Sequence, residues 1–217
     1  MSEETAWIIQ ARGGSSSASP RGGSDEAFTR LVEQYQTPVY NLCYRMLGEP
    51  ESAEDAAQES FLRAYQYLDR YDLERSFVTW LLSIAAHYCI DRLRRRHFIS
   101  VPMDDDEAPF ELPDLAAPNP EAETVRREAQ ERIHLLLGDL DPTDRAAVVL
   151  RYWHDFSEAE IAASLSLTIS AVKSRLFRAR RALAGAWQEE DASLTTQQAQ
   201  RSGSARLERR SHESPAF

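Results

Sequence analysis

The fold is decided by one stretch of the chain, Ser157-Glu-Ala-Glu-Ile-Ala-Ala-Ser-Leu-Ser-Leu-Thr-Ile-Ser-Ala-Val-Lys-Ser-Arg-Leu-Phe-Arg-Ala-Arg-Arg181. It predicts two short helices joined by a tight turn. Ser157 and Glu160 have the spacing of a capping box, so the first helix begins there. Thr168 is placed to cap the second helix. The pattern predicts a helix-turn-helix, a motif that lays its second helix in the major groove of DNA.

The second helix of this stretch carries the charge that DNA binding needs. It holds five basic residues and no acidic residue, whereas the whole chain has a formal net charge of −10. A cationic helix in an anionic protein predicts a face that binds a polyanion, and the alternative is a solvated basic face without a ligand. The predicted DNA-facing residues are Thr168, Ser170, Ala171, Lys173, Ser174, Arg175, Phe177, Arg178 and Arg181. The opposite arc, about 80° wide at 100° per residue, is the predicted core face and holds Ile169, Val172, Leu176, Ala179 and Leu183.

Composition favours an all-α protein of two small domains. The chain has 217 residues, 42% of them hydrophobic and only 8 of them glycine, and it shows no strand-type alternation. It shows no secretory signal and no apolar run long enough to span a bilayer, so a cytoplasmic protein without membrane insertion is expected. Cys43 and Cys89 are interpreted as reduced core thiols, and no cofactor, metal site or catalytic residue is predicted.

Composition also divides the chain into five parts. Residues 1–24 are rich in serine and glycine and are predicted to be disordered. A helical domain, 25–97, is followed by a flexible linker, 98–124, which holds eight acidic residues, no basic residue and five prolines. The second helical domain, 125–188, contains the helix-turn-helix, and 189–217 is a polar tail. In the first domain, helices are predicted from Asp25 to about Leu47, from a cap at Ser52 to about Leu68, and from near Ser76 to His97.

The second of these helices has an acidic outer face. Carboxylates in its first turn favour the helix dipole, which explains part of the pattern. The dipole does not explain a later carboxylate or an exposed leucine, so the face also fits a docking surface for a basic partner. The residues of this acidic face are Glu54, Asp55, Gln58, Glu59 and Leu62.

The third helix combines aromatic and basic side chains on one face. Aromatics among arginines suit single-stranded nucleic acid, because bases stack on rings and phosphates meet cations. Three other interpretations remain open: the aromatics belong to the core, His87 pairs with Asp91, and the arginines serve the helix C-terminus. The residues of this basic-aromatic face are Phe77, Trp80, His87, Asp91, Arg94 and Arg95.

Four segments, in this order and spacing, resemble the extracytoplasmic-function class of bacterial sigma factors. The resemblance covers roughly 25–97 and 125–188. The segments are Ala53-Glu-Asp-Ala-Ala-Gln-Glu-Ser-Phe61, Phe77-Val-Thr-Trp-Leu-Leu-Ser-Ile-Ala-Ala-His-Tyr-Cys-Ile-Asp-Arg-Leu-Arg-Arg95, Leu140-Asp-Pro-Thr-Asp-Arg-Ala-Ala-Val-Val-Leu-Arg151, and Glu160-Ile-Ala with Ala171-Val-Lys-Ser-Arg-Leu-Phe-Arg-Ala-Arg180.

The resemblance implies a promoter-specificity subunit. The acidic face would bind the clamp of the largest subunits of core RNA polymerase. The third helix, with Arg75 and Ser76 of the loop before it, would read the −10 element as it melts. The basic helix would read the −35 element, and the linker would thread towards the RNA exit path. An anti-sigma factor would hold the protein inactive.

The sequence departs from the family pattern at three places. His87 stands where the family often has asparagine, Ser166 replaces the usual turn glycine, and a tail follows Asp191. Two other classes of protein explain only part of the sequence. A stand-alone helix-turn-helix repressor or activator would leave the first domain unused. A metal-dependent hydrolase built on Glu54, Asp55, Glu59, His87 and Asp91 lacks any Glu-x-x-His or His-Glu-x-x-His pattern.

Overall fold

The computed structural model describes residues 3–13, 22–99, 129 and 131–188, and all regular structure in these ranges is helical. The all-α prediction is therefore confirmed, and so are the two helical domains. Most of the predicted linker and the whole tail lie outside the described residues. In chain order the helices are α1 (Glu3–Gly13), α2 (Gly22–Leu47), α3 (Pro50–Tyr67) with a 3₁₀ turn (Leu68–Arg70), α4 (Phe77–Ile99), α5 (131–138), α6 (Pro142–Trp153), α7 (Glu158–Ser164) and α8 (169–188).

The N-terminal segment corrects one prediction. Residues 1–24 were expected to be disordered, but residues 3–13 form α1, which packs on α2. Burial explains the helix, because Ile8 and Ala11 are each only 2% exposed and Trp7 packs against the same core. Ser24 Oγ donates a hydrogen bond of 2.7 Å to the carbonyl of Ala11, which ties the end of α1 to the start of α2.

The core of the first domain lies between α2, α3 and α4. Cys43 and Cys89 are buried in it as free thiols, as predicted. The predicted cap at Ser52 is wrong. Helix α3 begins at Pro50, whose fixed φ suits the first helical position. Ser52 is buried, and its hydroxyl donates to Glu49 Oε2 at 2.7 Å instead of capping the helix.

The second domain contains the predicted helix-turn-helix in α7 and α8. The capping box at Ser157 and Glu160 is present, and the backbone N–H of Ala171 donates to Thr168 Oγ1 at 3.1 Å. Ser166 adopts a φ of 55°, the left-handed conformation that the missing glycine would take without strain. The assignment of Ile169 to the core face is wrong. Ile169 is 48% exposed, because it begins α8 and lies outside the buried stripe that starts at Val172.

The two domains pack against each other, which the sequence did not indicate. Helix α6 contacts α2 and α4, and α7 contacts α4. Arg145 is buried between the domains, and its guanidinium donates to the carbonyl of Met46 at 2.6 Å and to that of Gly138 at 2.5 Å. Arg94 of α4 donates to Thr143 Oγ1 at 3.1 Å. These contacts define a domain interface between the end of α2, the end of α4 and the start of α6.

Two histidines lie beside this domain interface. His134 packs edge-on against Tyr44 with ring centroids 4.4 Å apart, and Arg45 lies 5.0 Å from the ring centroid of Trp153, the neighbour of His154. Burial, followed by the charge of Arg45, lowers the pKa of both histidines to about 4. Both imidazoles are therefore neutral in the folded chain at pH 7.

No helix within the described ranges is long and apolar enough to cross a bilayer.

We predict that acid weakens this fold through the two histidines. Between pH 6.5 and about 4 the unfolded chain binds protons that folded His134 and His154 exclude. The free energy of unfolding should therefore fall as the pH drops through this window, and the loss should be complete below about pH 4. Denaturant unfolding at a series of pH values measures it. The double variant His134→Gln, His154→Gln should show a shallower slope, and an unchanged slope would contradict the prediction.

Candidate nucleic-acid interface

The acidic face of α3 is presented to solvent. Its opposite side is a stripe of small residues, with Ala53, Ala57 and Ala64 packed on the core, so the carboxylates must point outwards. Glu54, Asp55, Gln58 and Leu62 are exposed, Leu62 to 51%, and Glu59 is half-buried. An apolar side chain among exposed carboxylates is the arrangement that a docking surface for a basic partner requires.

Arginines of α3 and α4 partly neutralise this face. Arg63 Nε lies 2.7 Å from Glu59 Oε1, and Arg92 Nη1 lies 3.8 Å from Asp55 Oδ2. Because these pairs are at least partly solvated, each contributes at most about 1 kcal/mol. A basic partner can therefore displace the arginines at low cost.

Some basic residues at the end of α4 hold the domain together. Arg96 makes a bidentate pair with Glu49, with distances of 3.0 and 2.9 Å, and this hydrogen bonding lowers the pKa of the Glu49 carboxyl. Arg92 donates to Ser52 Oγ at 3.1 Å. Arg92 and Arg96 therefore tie the end of α4 to the start of α3.

The basic-aromatic face of α4 is smaller than predicted. Phe77 is only 2% exposed and belongs to the core, which corrects its assignment to DNA. Trp80 is half-buried in an aromatic cluster, with its ring centroid 5.0 Å from that of Tyr71 and 5.7 Å from that of Phe77. Phe77 is drawn inwards because it begins α4 directly beside Tyr71, with ring centroids 5.4 Å apart.

The remaining residues of this face are exposed, and so are those of the preceding loop. His87 does not rely on Asp91 for a partner, because its Nδ1 lies 2.8 Å from the carbonyl oxygen of Ser83. Arg94 is occupied at the domain interface. Arg75 lies in the loop with its Nε 3.7 Å from Asp72 Oδ2. The solvent-facing residues of the predicted set are Arg75, Ser76, His87, Asp91, Arg94 and Arg95.

Helix α8 presents most of its predicted DNA face to solvent. Phe177 is 60% exposed, an unusual position for a large apolar ring on a charged helix. Ala171 is half-buried. Small and cationic side chains surround the ring, so the surface suits close approach to a polyanion. The exposed members of the set are Thr168, Ser170, Lys173, Ser174, Phe177, Arg178 and Arg181.

Arg175 is the exception, and it corrects the sequence interpretation. Its side chain is only 28% exposed and turns back into its own domain, where Nη1 lies 2.5 Å from Asp144 Oδ1 and 3.6 Å from Asp141 Oδ1. Asp144 is 8% exposed and also lies 3.7 Å from Nη2 of Arg178. Sequence reasoning missed Asp144, although it follows the N-cap Asp141 in the first turn of α6 and could have been recognised as a buried-acid candidate.

Comparison with known proteins decides the family. Residues 31–98 match the family model of sigma-70 region 2, and residues 130–183 match that of sigma-70 region 4. The chain is 36% identical over 166 residues to the ECF RNA polymerase sigma factor SigW of Bacillus subtilis, covering 74% of this chain and 89% of the relative. This chain belongs to the ECF sigma factors. Region 2 contains the acidic face and the basic-aromatic face, and region 4 contains the helix-turn-helix.

A second relative agrees with this assignment, and a solved structure shares the fold. This chain is 32% identical over 169 residues to the RNA polymerase sigma-H factor of Pseudomonas aeruginosa, and the match covers 74% of this chain and 86% of the relative. It shares its fold with the sigma factor RpoE of Bartonella quintana, solved in complex with the anti-sigma factor NepR, with a TM-score of 0.59, 18% identity, and coverage of 74% of this chain and 96% of that one.

As a member of the ECF sigma factors, the chain directs promoter-specific initiation of transcription by RNA polymerase. The family also rules out the stand-alone regulator, because both sigma regions are matched in one chain.

We predict that Arg175 stabilises region 4 more than it binds DNA. Arg175→Ala leaves the nearly buried Asp144 without its closest partner. The free energy of unfolding should fall by about 1–3 kcal/mol, the cost of an unsatisfied buried polar group. Thermal and denaturant unfolding measure it. Arg181→Ala, on the exposed side of the same helix, should stay within about 0.5 kcal/mol of the parent. Undiminished stability with weaker −35 binding would contradict this assignment.

Proposed function

We propose that three surfaces of this sigma factor divide the work of initiation. The acidic face of α3 docks on core RNA polymerase, the loop 72–76 with the outer face of α4 reads the −10 element, and α8 reads the −35 element. The observation that supports this proposal is the presence, in one chain, of an exposed carboxylate face and two separate exposed faces that combine cations with an aromatic ring. An enzyme or a simple repressor needs no such combination.

For docking, the proposed residues are those of the acidic face. Exposed carboxylates attract a basic surface over a distance of about 8–10 Å at ordinary salt, and Leu62 then adds apolar contact. The expected partner is the clamp of core polymerase named in the sequence analysis. Rim charges of this kind set mainly the association rate and the choice of partner.

For the −10 element, the proposed contacts are fewer than the sequence suggested. Phe77 stays in the core, and Trp80 exposes only part of its ring. The bases of a melted strand would stack on that exposed part and bond to the polar side chains beside it. The proposed set is Arg75, Ser76, Trp80, His87, Asp91, Arg94 and Arg95.

For the −35 element, α8 is proposed to lie in the major groove. Lys173 and Arg178 reach phosphates or guanine edges, and the exposed ring of Phe177 suits contact with a thymine methyl group. Arg175 holds the helix in place from behind through Asp144. The remaining polar contacts are proposed to come from Thr168, Ser170, Ser174 and Arg181, with Ala171 allowing close approach.

The domain packing bears on how these surfaces are used. Arg94 of α4 bonds to Thr143, and the adjacent Asp144 bonds to Arg175 of α8, so a single turn of α6 separates the two reading helices. The promoter elements, by contrast, lie about 25 base pairs apart, or about 85 Å at 3.4 Å per pair. We therefore infer that the described arrangement belongs to the promoter-free chain, and that the domains separate on binding.

Control by an anti-sigma factor is also proposed. The relative from Bartonella quintana was solved with such a partner. The packed domains bring α4 and α8 close together, so one partner could cover both reading helices at once. The proposed place of action is the cytoplasm, where polymerase and promoter DNA meet.

The direct test is run-off transcription with bacterial core RNA polymerase on a library of genomic fragments, with and without this protein. New discrete transcripts, sharing two sequence elements upstream of their start sites, are the expected result. Binding to core polymerase without any transcript, even from the templates of related ECF sigma factors, would contradict promoter recognition.

A charge reversal tests the docking surface. In Asp55→Arg, Glu59→Arg the acidic face becomes basic, and affinity for core polymerase should fall by at least about tenfold because like charges then face each other. Fluorescence anisotropy of a labelled chain measures it. The control Glu26→Arg, Glu33→Arg makes the same change in net charge on the exposed side of α2. If the two double variants behave alike, docking depends on overall charge and the proposed surface is wrong.

A further inference from the structure

The exposed loop 72–76 is held at both ends by one residue, Tyr71. The Tyr71 hydroxyl donates to the carbonyl of Arg75 at the far end of the loop. Its ring packs on Phe77 and Trp80, with centroid distances of 5.4 and 5.0 Å. Tyr71 is 5% exposed, so its position is set by its neighbours and not by solvent.

Within the loop, Asp72 makes the turn. The backbone N–H of Arg75 donates to the Asp72 carbonyl at 3.1 Å, and the N–H of Glu74 donates to Asp72 Oδ1 at 3.1 Å. These bonds are local, and all five residues of the loop are exposed. The loop therefore has a defined shape, but its placement on the domain depends on Tyr71.

Tyr71 is in turn held by α1. Arg12, in the last turn of α1, donates from Nε to the carbonyl of Leu68 at 2.9 Å and from Nη2 to the carbonyl of Tyr71. Its guanidinium carbon also lies 5.6 Å from the centre of the Tyr71 ring. The two carbonyls lie at the end of the 3₁₀ turn after α3, where the Leu68 carbonyl also accepts the backbone N–H of Tyr71 at 3.1 Å. The planar guanidinium of Arg12 bonds to both carbonyls through two of its nitrogens.

Helix α1 is itself anchored away from the loop. Tyr35 of α2 donates from its hydroxyl to Glu4 Oε1 at 2.8 Å, and Ser24 donates to the carbonyl of Ala11. Arg12 thus extends from a fixed helix to the start of the loop. The bonds of Arg12 continue through Tyr71 to Arg75 and Trp80, which are both among the proposed −10 contacts.

We propose that Arg12 is a positioning residue for −10 recognition. It touches no DNA, and it acts by fixing Tyr71, which places the loop 72–76 and the exposed part of Trp80 to receive an unstacked base. This inference rests on the proposed function, because it assumes that the loop reads the −10 element.

The test uses holoenzyme assembled from core polymerase and the full chain. The probe is a labelled single-stranded oligonucleotide with the −10 sequence obtained from run-off transcription, beside the same oligonucleotide with one conserved base changed. Arg12→Ala should lower affinity for the matched oligonucleotide by about tenfold, the effect of one lost base contact, and reduce the preference over the changed one. The affinity of Arg12→Ala for core polymerase and for −35 duplex DNA should remain at parent values. Transcription from a promoter whose −10 region is already melted by mismatches should also equal that of the parent when the promoter is saturated with holoenzyme.

Arg30→Ala is the matched control. Arg30 also contacts α1, with its guanidinium carbon 6.0 Å from the centre of the Trp7 ring, but it donates no bond to the loop. This variant should bind both oligonucleotides like the parent. Tyr71→Phe removes only the hydroxyl that holds Arg75 and should reproduce the loss of preference. If Arg12→Ala proves unstable on thermal unfolding, Arg12→Met, which keeps an unbranched side chain but has no hydrogen-bond donor, replaces it.

A further variant distinguishes failure of the proposed role of the loop from failure of the proposed role of Arg12. The double variant Arg75→Ala, Ser76→Ala removes the loop side chains that are proposed to contact the −10 element and keeps the Arg75 carbonyl to which Tyr71 donates. If that variant keeps the full preference for the matched oligonucleotide, the loop does not read the −10 element and the proposed function of the loop fails. If the loop variant loses the preference while a folded Arg12 variant keeps it, the loop reads DNA without help from Arg12 and the inference is overturned.

Discussion

The buried guanidinium of Arg145 is the interaction on which the arrangement of the domains depends. Removing a cation from water costs several kcal/mol, and this one is compensated by two carbonyls and by the charge of Asp139. One carbonyl, that of Met46, lies in the last turn of α2, where the helix dipole favours positive charge. Burial still lowers the pKa of Arg145, and its Nε is buried without a hydrogen-bond partner. Because the cost of burying the guanidinium offsets much of the gain from its hydrogen bonds, this contact can hold the domains together and still release them.

Internal partners also occupy cations on the two surfaces that are proposed to contact DNA. Arg94 and Arg178, two cations of the proposed DNA contacts, already have partners in the closed chain, Thr143 and Asp144. Binding DNA therefore exchanges internal bonds for external ones, so the net gain per contact is smaller than for a free cation. Together with a net charge of −10, this explains in physical terms why the isolated chain should bind DNA weakly.

Local features were predictable from the sequence, and contacts between distant residues were not. The capping box at Ser157 depends on residues three apart, so its spacing alone revealed it. The helical wheel places Arg175 beside the core arc, but it does not show that the side chain bonds to Asp144, 31 residues earlier in the chain. Phe77 shares a face with Trp80 and is nevertheless core, because Tyr71 of the preceding loop covers it. A helical wheel describes one helix and contains no information about what packs on it.

The ion pair between Arg96 and Glu49 has a consequence for promoter geometry. It joins the end of α4 to the residue that precedes α3, and both helices share one core. The surface proposed to dock on polymerase and the surface proposed to read the −10 element therefore move as a single rigid body. Under this proposal, the distance from the polymerase to the −10 bases is set within region 2. Any tolerance for variable spacing between promoter elements must come from the connection to region 4.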